Sequence, residues 1–340
     1  MTNFTKVYLY PSRSQNEFLA LNQGALEKLG YSVKKVNKAF LLDLLSMKKD
    51  AIVVLNWVED RVYGRTYRTV FQYFLKMIAL IIFSKLFAKQ VVWVRHNFKP
   101  HNGSSTNFRY KFLCGLFKLC GIPPTPLEEY YSKPSLVHPL YKNDHKLKLD
   151  IVYAKKSIDS RSHLVVFFGA VKRYKNLHEI LDTWPKDVSL KIAGKSSDIE
   201  YTNFLNEKIN KRDLRVEWEN KFLSDEELNQ ILSNAKFVLL PHADSTMISS
   251  GSFYHAIGEG CNIITNESRF GRTKSNLHSF VSIYDSTSIS LSYLNQICLK
   301  RESVMQEAMD NYGELRVINA WQKILMPKDV IKVGDESEYK

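Results

Sequence analysis

Three cations, Lys172, Arg173 and Lys175, follow Gly169 at the end of an apolar run. Cations on a loop that leads into a helix suit an anion with more than one charge, such as a diphosphate. Further along, Ser249-Ser250-Gly251 stands directly before the helical pattern Ser252–Ile257. Hydroxyls and a glycine at a helix start make an anion cradle, although the same serines would also serve as plain N-caps. In the first half, the segment Arg95-His96-Asn97-Phe98-Lys99-Pro100-His101 ends a strand-like run, and Glu59-Asp60 follow another. His96, at a strand end where catalytic groups collect, has a hydrogen-bonding loop histidine as its plainer alternative. No cysteine or carboxylate lies near the histidines at zinc spacing. The four cysteines, Cys114, Cys120, Cys261 and Cys298, fit no metal spacing either.

These groups need elements to position them. Leu164–Phe168 is a continuous apolar run of strand length, ended by Gly169. Asn176 opens an amphipathic helix with Leu177, Ile180 and Leu181 on one face, and Val188–Ala193 is a second buried strand closed by Gly194. Strand, cationic loop, helix and strand predict a βαβ unit, whose ligands sit at the carboxyl ends of the strands. A helix over Ile199–Ile209, a strand over Leu214–Trp218, a capping box of Ser224 with Glu227, and strands at Phe237–Leu240 and Ile263–Thr265 continue the alternation. His242–Gly251 connects the last two strands.

The first half reads the same way. Strands are expected at Lys6–Tyr10, Tyr31–Val36, Ala51–Leu55, Gln90–Val94 and Leu136–Leu140, and helices at Glu17–Leu29 and Phe108–Cys120. Lys142–Asp150 reads as a polar linker. Thr66–Lys89 is the most apolar segment, but its longest uninterrupted run, Met77–Phe83, is seven residues, too short for the roughly 20 that a bilayer span needs. A buried crossover helix and an interfacial helix, with Arg65, Arg68, Lys76, Lys85 and Lys89 near lipid phosphates, are the two readings. A last helix, Glu314–Leu325, carries Trp321, and the tail Lys328–Lys340 is expected to fray. The alternation predicts an α/β protein with two domains, residues 1–145 and 151–310; a C-terminal helix, 311–326, is expected to cross back to the first.

Charge separates the halves. Residues 1–150 hold 23 Lys and Arg against 10 Asp and Glu, whereas residues 151–340 hold 25 against 25. The whole excess of +13 therefore lies in the first half, which should face an anionic partner: a membrane surface, a phosphorylated substrate or a nucleic acid. Cations spread without a recognition helix or RNA-binding motif argue against nucleic acid. The polar start, Met1–Lys6, shows no signal peptide, and a reducing cytoplasm is the simple reading of the cysteines.

The pattern resembles the nucleotide-sugar-dependent glycosyltransferases with two Rossmann-like domains facing across a cleft, the GT-B architecture, and above all bacterial enzymes of polysaccharide assembly. FFGAVKRYKNLHEIL is similar to the family's strand, glycine, loop, lysine and helix, with Lys175 on the lysine that holds the donor diphosphate. LKIAG matches the next strand and its glycine, Gly194, and ENKFLSDEELNQILSNAKFVLLPH, up to His242, matches the segment where the donor base is read near Phe222. SSGSFYHAIGEGCNII resembles the diphosphate loop and helix, placing Ser249, Ser250 and Gly251 on the phosphate. VVWVRHNFKPH is similar to a family strand that ends in His-Asn with a later His, which puts His96, Asn97 and His101 on the acceptor side. LNWVED resembles a strand end that often bears a carboxylate. An inverting enzyme of this kind would take its general base from His96, Glu59 or Asp60, in that order, and a retaining one would need none.

The resemblance implies transfer of a sugar from a nucleoside diphosphate sugar to a hydroxyl of a glycan, lipid-diphosphate-linked, at the cytoplasmic membrane face. It implies no cofactor and no metal, since no Asp-x-Asp motif is present. The paired glutamates of many retaining members are absent: His255 stands where the second would fall, and Met247 or Ile248 near the first. The arginine usual after the strand glycine is replaced by Ala170, with Lys172 or Arg173 able to substitute. A nucleotide-sugar epimerase or phosphorylase of the same fold, a basic nucleic-acid-binding protein and an inactive scaffold are the alternatives.

Overall fold

The computed structural model describes residues 5–12, 16–37, 40–46, 50–59, 66–97, 107–241 and 248–326. The chain divides into two compact units, Met1–His96 with Asn102–Pro139 and Glu314–Lys340, and Asn97–His101 with Leu140–Gly313.

The first unit runs β1 (Lys6–Tyr10), α1 (Glu17–Lys28), β2 (Ser32–Lys35), α2 (Phe40–Ser46), β3 (Ile52–Asn56), α3 (Tyr67–Phe87), β4 (Gln90–Arg95), α4 (Asn107–Leu119) and β5 (Pro124–Pro126). The second runs α5 (Asp144–Lys156), β6 (His163–Phe168), α6 (Leu177–Thr183), β7 (Leu190–Ala193), α7 (Ile199–Arg212), β8 (Val216–Glu219), α8 (Asp225–Ser233) and β9 (Ala235–Leu240). It continues with α9 (Gly251–Gly258), β10 (Asn262–Thr265), α10 (Arg269–Leu277), β11 (Val281–Ile283), α11 (Leu291–Ile297) and α12 (Arg301–Tyr312). The chain then returns to the first unit as α13 (Glu314–Leu325). Both sheets are wholly parallel, in the orders β2-β1-β3-β4-β5 and β11-β10-β9-β6-β7-β8.

Alternating residues of the first sheet's strands build two different cores, as the period of a strand requires. Tyr8, Val53, Leu55 and Trp93 face α2, α3 and α4. Val7, Leu9, Ile52, Val54, Val92 and Val94 face α1 and α13. Trp321 of α13 is buried there, and its Nε1 donates to Asn22 Oδ1 of α1 at 2.7 Å. In the second sheet, Val165, Phe167, Leu190, Ile192, Phe237 and Leu239 pack against α6, α7 and α11.

Three expectations need correction. Leu136–Leu140 is not a strand; the fifth strand is Pro124–Pro126. That strand lies at the sheet's edge, where proline's missing N–H is tolerated. The later run meets the sheet through the bond from Leu136 N–H to the Pro126 carbonyl, 2.8 Å, and Pro139 has no N–H to extend a ladder. Lys142–Asp150 is not a linker, because α5 begins inside it. Asn143 caps that helix by accepting from Lys146 N–H at 2.8 Å, and Leu147 and Ile151, four apart among charges, are buried. Lys142 itself is buried, bridging Asp150 and Glu259 at 2.7 Å each.

The third correction concerns α3, a continuous helix of 21 residues that is long and apolar enough, by length and composition, to cross a membrane. Counting only the uninterrupted run understated it. Its topology nevertheless places it alongside the sheet: β3 and β4, which it joins, pair directly from Ile52↔Gln90 to Asn56↔Val94, and Lys89 N–H bonds to the Ala51 carbonyl at 2.8 Å. It is a crossover helix buried on one side only. Val70, Met77, Leu80, Ile81 and Ser84 face the core, while Tyr67, Phe71, Leu75, Ile82 and Leu86 form an exposed stripe.

Because α13 completes the second core of the first unit, Trp321→Ala should destabilise that unit by about 3–5 kcal/mol. Urea unfolding followed by tryptophan fluorescence and far-UV circular dichroism should show that loss, and an unchanged transition would contradict the packing of α13.

Candidate functional site

In a parallel sheet with helical crossovers, a crevice opens at the carboxyl ends of two neighbouring strands whose connections depart in opposite directions. In the second sheet this switch lies between β6 and β9: the chain goes from β6 to β7 and β8 on one side, and from β9 to β10 and β11 on the other. Gly169, Lys172, Arg173 and Lys175 follow β6, and Ser249, Ser250 and Gly251 follow β9. The two sequence-predicted anion loops therefore flank one switch point. His242 lies outside the described residues.

The strand ends meet at glycines because no other residue fits. A Cβ on Gly194, whose φ is +157°, would lie 2.1 Å from the Gly169 carbonyl oxygen. Gly169 has φ +89°, and a Cβ there would come within 3.3 Å of Lys175 Nζ. The lysine ammonium is thus drawn against bare backbone. Lys175 closes a short 3-10 turn, Arg173–Lys175, after which Asn176 at φ 52° redirects the chain into α6.

Lys175 is 7% exposed, with Nζ 5.2 Å from the Phe167 ring centroid. No carboxylate or hydrogen-bond acceptor pairs with it among the described residues. Burial, and secondarily the charge of Lys172, pushes its ammonium down to about 8. Lys172 is exposed. Arg173 is engaged elsewhere: its Nε donates to Asp198 Oδ2 at 2.8 Å, and its guanidinium lies over Tyr201. As an exposed pair this is weak, so Arg173 is held but not locked. Phe222, after β8, is 80% exposed, and Lys195 Nζ sits 4.9 Å from its ring centroid. Lys195 escaped the sequence reading although it directly follows Gly194.

Ser250 is the buried N-cap of α9, yet its side chain makes no capping bond. The amides of the first turn are left to other acceptors. His255, one turn on, stacks on Tyr141 with ring centroids 5.1 Å apart and lies edge-on to Phe168. Its Nε2 meets Asn229 Oδ1 at 2.8 Å, which assigns the proton to Nε2. Desolvation lowers this imidazole to about 4, so it is neutral near pH 7.

In the first sheet the switch lies between β1 and β3. Trp57, Val58 and Glu59 follow β3, and His96 and Asn97 follow β4. Asn56 Nδ2 donates to the Tyr10 carbonyl at 3.1 Å and so presents Oδ1 to His96 Nε2 at 3.2 Å. His96 Nε2 therefore donates, and Nδ1 is the ring's basic nitrogen. Trp57 stacks on this imidazole at 4.3 Å, and Phe18 meets it edge-on at 5.1 Å. Trp57 adopts φ 52°, a strained backbone for a bulky residue, of a kind that gathers at functional sites. Nothing in its sequence neighbourhood signals this. Glu59 is 2% exposed and accepts from Trp93 Nε1 at 3.0 Å. Its charge, second to burial, raises the Tyr110 hydroxyl, so it faces inward. Asn97 is buried. Asp60 and His101 lie outside the described residues. Among the described residues no group of three or more His, Cys, Asp or Glu is arranged to hold a metal ion.

A lysine whose charged form is disfavoured by folding weakens the fold below its native value. Between about pH 8 and 10.5 the native chain sheds this proton while the unfolded chain keeps it, so stability gains with rising pH. Lys175→Met should raise the ligand-free melting temperature near pH 7, by roughly 2–4 °C per kcal/mol recovered. It should also abolish the alkaline gain. A lowered melting temperature would indicate a counter-charge at Lys175.

No protein-family model matches the chain, and no curated protein matches its sequence. Solved structures do match. AviGT4, a glycosyltransferase involved in avilamycin A biosynthesis, is 13% identical with a TM-score of 0.57 over 94% of this chain and 96% of its own. Anabaena Alr3699/HepE, solved with UDP and glucose, is 12% identical with a TM-score of 0.56 over 94% and 98%. A glycosyltransferase from Rickettsia africae is 11% identical with a TM-score of 0.53 over 98% and 100%. The protein has the fold of the GT-B glycosyltransferases, two α/β units each built on a parallel sheet.

Proposed function

We propose that the protein is a glycosyltransferase that moves a sugar from a nucleoside diphosphate sugar to a hydroxyl of a glycan. The observation that carries this reading is Lys175, a buried cation at the switch point of the second sheet with no carboxylate partner among the described residues. A diphosphate there supplies the missing counter-charge. AviGT4 is named a glycosyltransferase, and HepE was solved with UDP and glucose, which supports the same class of donor.

In the reaction the acceptor oxygen bonds to the anomeric carbon as the bond to the diphosphate breaks, and the diphosphate leaves with the electron pair. Lys175, Lys172 and the amides at the start of α9 stabilise that growing charge from fixed positions. These groups belong to the chain, so the reading is metal-independent. Gly169 and Gly194 let the diphosphate approach the backbone. Phe222 and Lys195 lie where the base would be read. If the configuration inverts, His96 Nδ1 is the group assigned to take the acceptor proton, held in that tautomer by Asn56. Retention would need no such base.

The acceptor we favour is lipid-diphosphate-linked, in bacterial surface polysaccharide assembly, and engaged peripherally at the cytoplasmic face of the membrane. Supporting this, the exposed stripe of α3 adjoins exposed Phe108 and Phe112 of α4, with Phe74 against Phe112 at 5.3 Å. Arg68, Lys76, Lys85, Lys89, Lys111 and Lys118 are exposed around it, and α3 carries no acid. Apolar side chains ringed by cations suit an anionic interface.

Thermal stabilisation by UDP, GDP, ADP, TDP and CMP, with and without magnesium, tests the donor site. One diphosphate should raise the midpoint irrespective of magnesium, and Lys175→Ala should abolish the shift. No shift with any of them would refute the assignment. Affinity should be constant below about pH 8 and fall above it as the free ammonium deprotonates; a flat profile to pH 9.5 would exclude Lys175 from the phosphate. For the membrane, vesicles containing phosphatidylglycerol should pellet the protein in a salt-sensitive manner, and Phe71→Glu with Phe108→Glu should release it. Equal pelleting of that variant would rule out the α3–α4 surface.

A further inference from the structure

The second unit carries an exposed apolar face of its own, on α5. That helix packs against α12, with Leu147 and Ile151 buried on its inner side. On the outer side Leu149, Val152 and Tyr153 stand at helical spacing and are 58%, 52% and 74% exposed. Single exposed apolar side chains are ordinary on any protein; three on one face of one helix make a patch. His145 and Lys146 continue this face toward the start of the helix and Lys156 toward its end, while Lys148 and Lys155 run along one flank. Ile158, just past the helix, is exposed as well.

The charge on this face has one sign. The two acids of α5 point elsewhere: Asp150 pairs with buried Lys142 at 2.7 Å, and Asp144 lies against Gly313, where a Cβ would come within 3.1 Å of Asp144 Oδ2. Lys146, Lys148, Lys155 and Lys156 are exposed, and none is paired with an acid among the described residues. Lys155 and Lys156 complement the helix dipole in the last turn. Lys146 does the opposite, since a cation in the first turn opposes that dipole. Helix stability therefore does not account for its position, and an anion outside the protein does.

We propose that the outer face of α5 is a second membrane contact, seated on the headgroups of anionic phospholipids. It rests on the membrane reading given for α3 and α4, and it brings the second unit into that contact. Both helices combine an apolar stripe with surrounding lysines and leave acids off the exposed face. Leu149, Val152 and Tyr153 enter the boundary between headgroups and acyl chains, and the lysine stems follow them while their ammonium groups stay at the phosphates. The cations are spread over a helix of 13 residues, about 20 Å, a layout that suits a plane of headgroups better than one small ligand. A second copy of this chain fits poorly, because a twofold contact of this face with itself would set lysine against lysine.

Val152→Cys labelled with an environment-sensitive fluorophore reads the contact directly. The native cysteines are buried or half-buried, and the parent chain labelled in the same way supplies the background. Emission should rise and shift to the blue with vesicles of phosphatidylcholine and phosphatidylglycerol in equal parts, and should stay unchanged with phosphatidylcholine alone. In pelleting with the mixed vesicles, Leu149→Glu with Tyr153→Glu should weaken binding about tenfold or more. Lys148→Gln with Lys155→Gln, which keeps the apolar side chains, should weaken it by about tenfold. All four positions are exposed, so the melting temperature should not move. Combined with Phe71→Glu and Phe108→Glu, the losses should multiply, as expected of separate patches. A silent fluorophore together with undiminished pelleting of both α5 variants overturns this contact alone, because pelleting of the parent chain keeps the α3–α4 surface. If the parent chain does not pellet, the membrane reading has failed and this proposal falls with it. Emission that responds to polyglutamate and not to vesicles would give the face to an acidic protein. A dimer in sedimentation velocity that Leu149→Glu with Tyr153→Glu disrupts would give it to a second copy. Either result overturns the proposal.

Discussion

An ammonium withdrawn from water, with no carboxylate beside it among the described residues, is the condition around which the second unit is arranged. Ordinary folding would avoid it, since a buried charge is tolerated only when something compensates its lost hydration. At Lys175 the compensation is partial: one aromatic face and a stretch of bare backbone. The surroundings follow from this. Gly169 and Gly194 must lack side chains for the backbone to approach so closely, and Asn176 must enter the left-handed region for the turn to point the lysine inward. The head of α9 across the switch point is likewise left without its usual side-chain cap. Each feature costs stability locally, and the large cores of the unit offset the cost.

The two sheets treat their carboxyl edges differently. The second collects cations, amides and hydroxyls, groups that stabilise negative charge. The first collects an imidazole of defined tautomer, a strained tryptophan and a buried glutamate. One edge is suited to an anion, the other offers a neutral imidazole held in one tautomer. Among the described residues, part of the first half's basic excess is carried by exposed cations of α3 and α4, beside the apolar stripe.

Much of this could be read from residue types and spacing. Apolar runs of strand length, glycines at their ends and the Ser224–Glu227 capping box each act over a few residues, and the structure places them where their local chemistry implies. What escaped the sequence depends on distant partners. The Pro124–Pro126 strand exists because an edge was vacant, and α5 was hidden because charges outnumber the two residues, Leu147 and Ile151, that anchor it. Within the candidate site, Lys175 and Ser249–Gly251 were legible from position, whereas Trp57 needed a backbone angle and the burial of Lys274, elsewhere in the second unit, needed four rings from three helices. No local pattern encodes either. The seven-residue count in α3 failed for a related reason, since a helix presents a face and not a run.

The return of α13 to the first unit bears on how the chain is made. Residues 140–313 form a continuous segment that contains everything its own sheet requires, so it can fold as soon as it has emerged during synthesis. The first unit, although translated earlier, lacks part of one layer until Glu314–Leu325 arrives, and β1, β3 and β4 meanwhile have α1 but not α13 over one apolar face. The order of maturation therefore runs against the order of translation. For that interval the basic, aromatic half of the molecule is the half in need of protection.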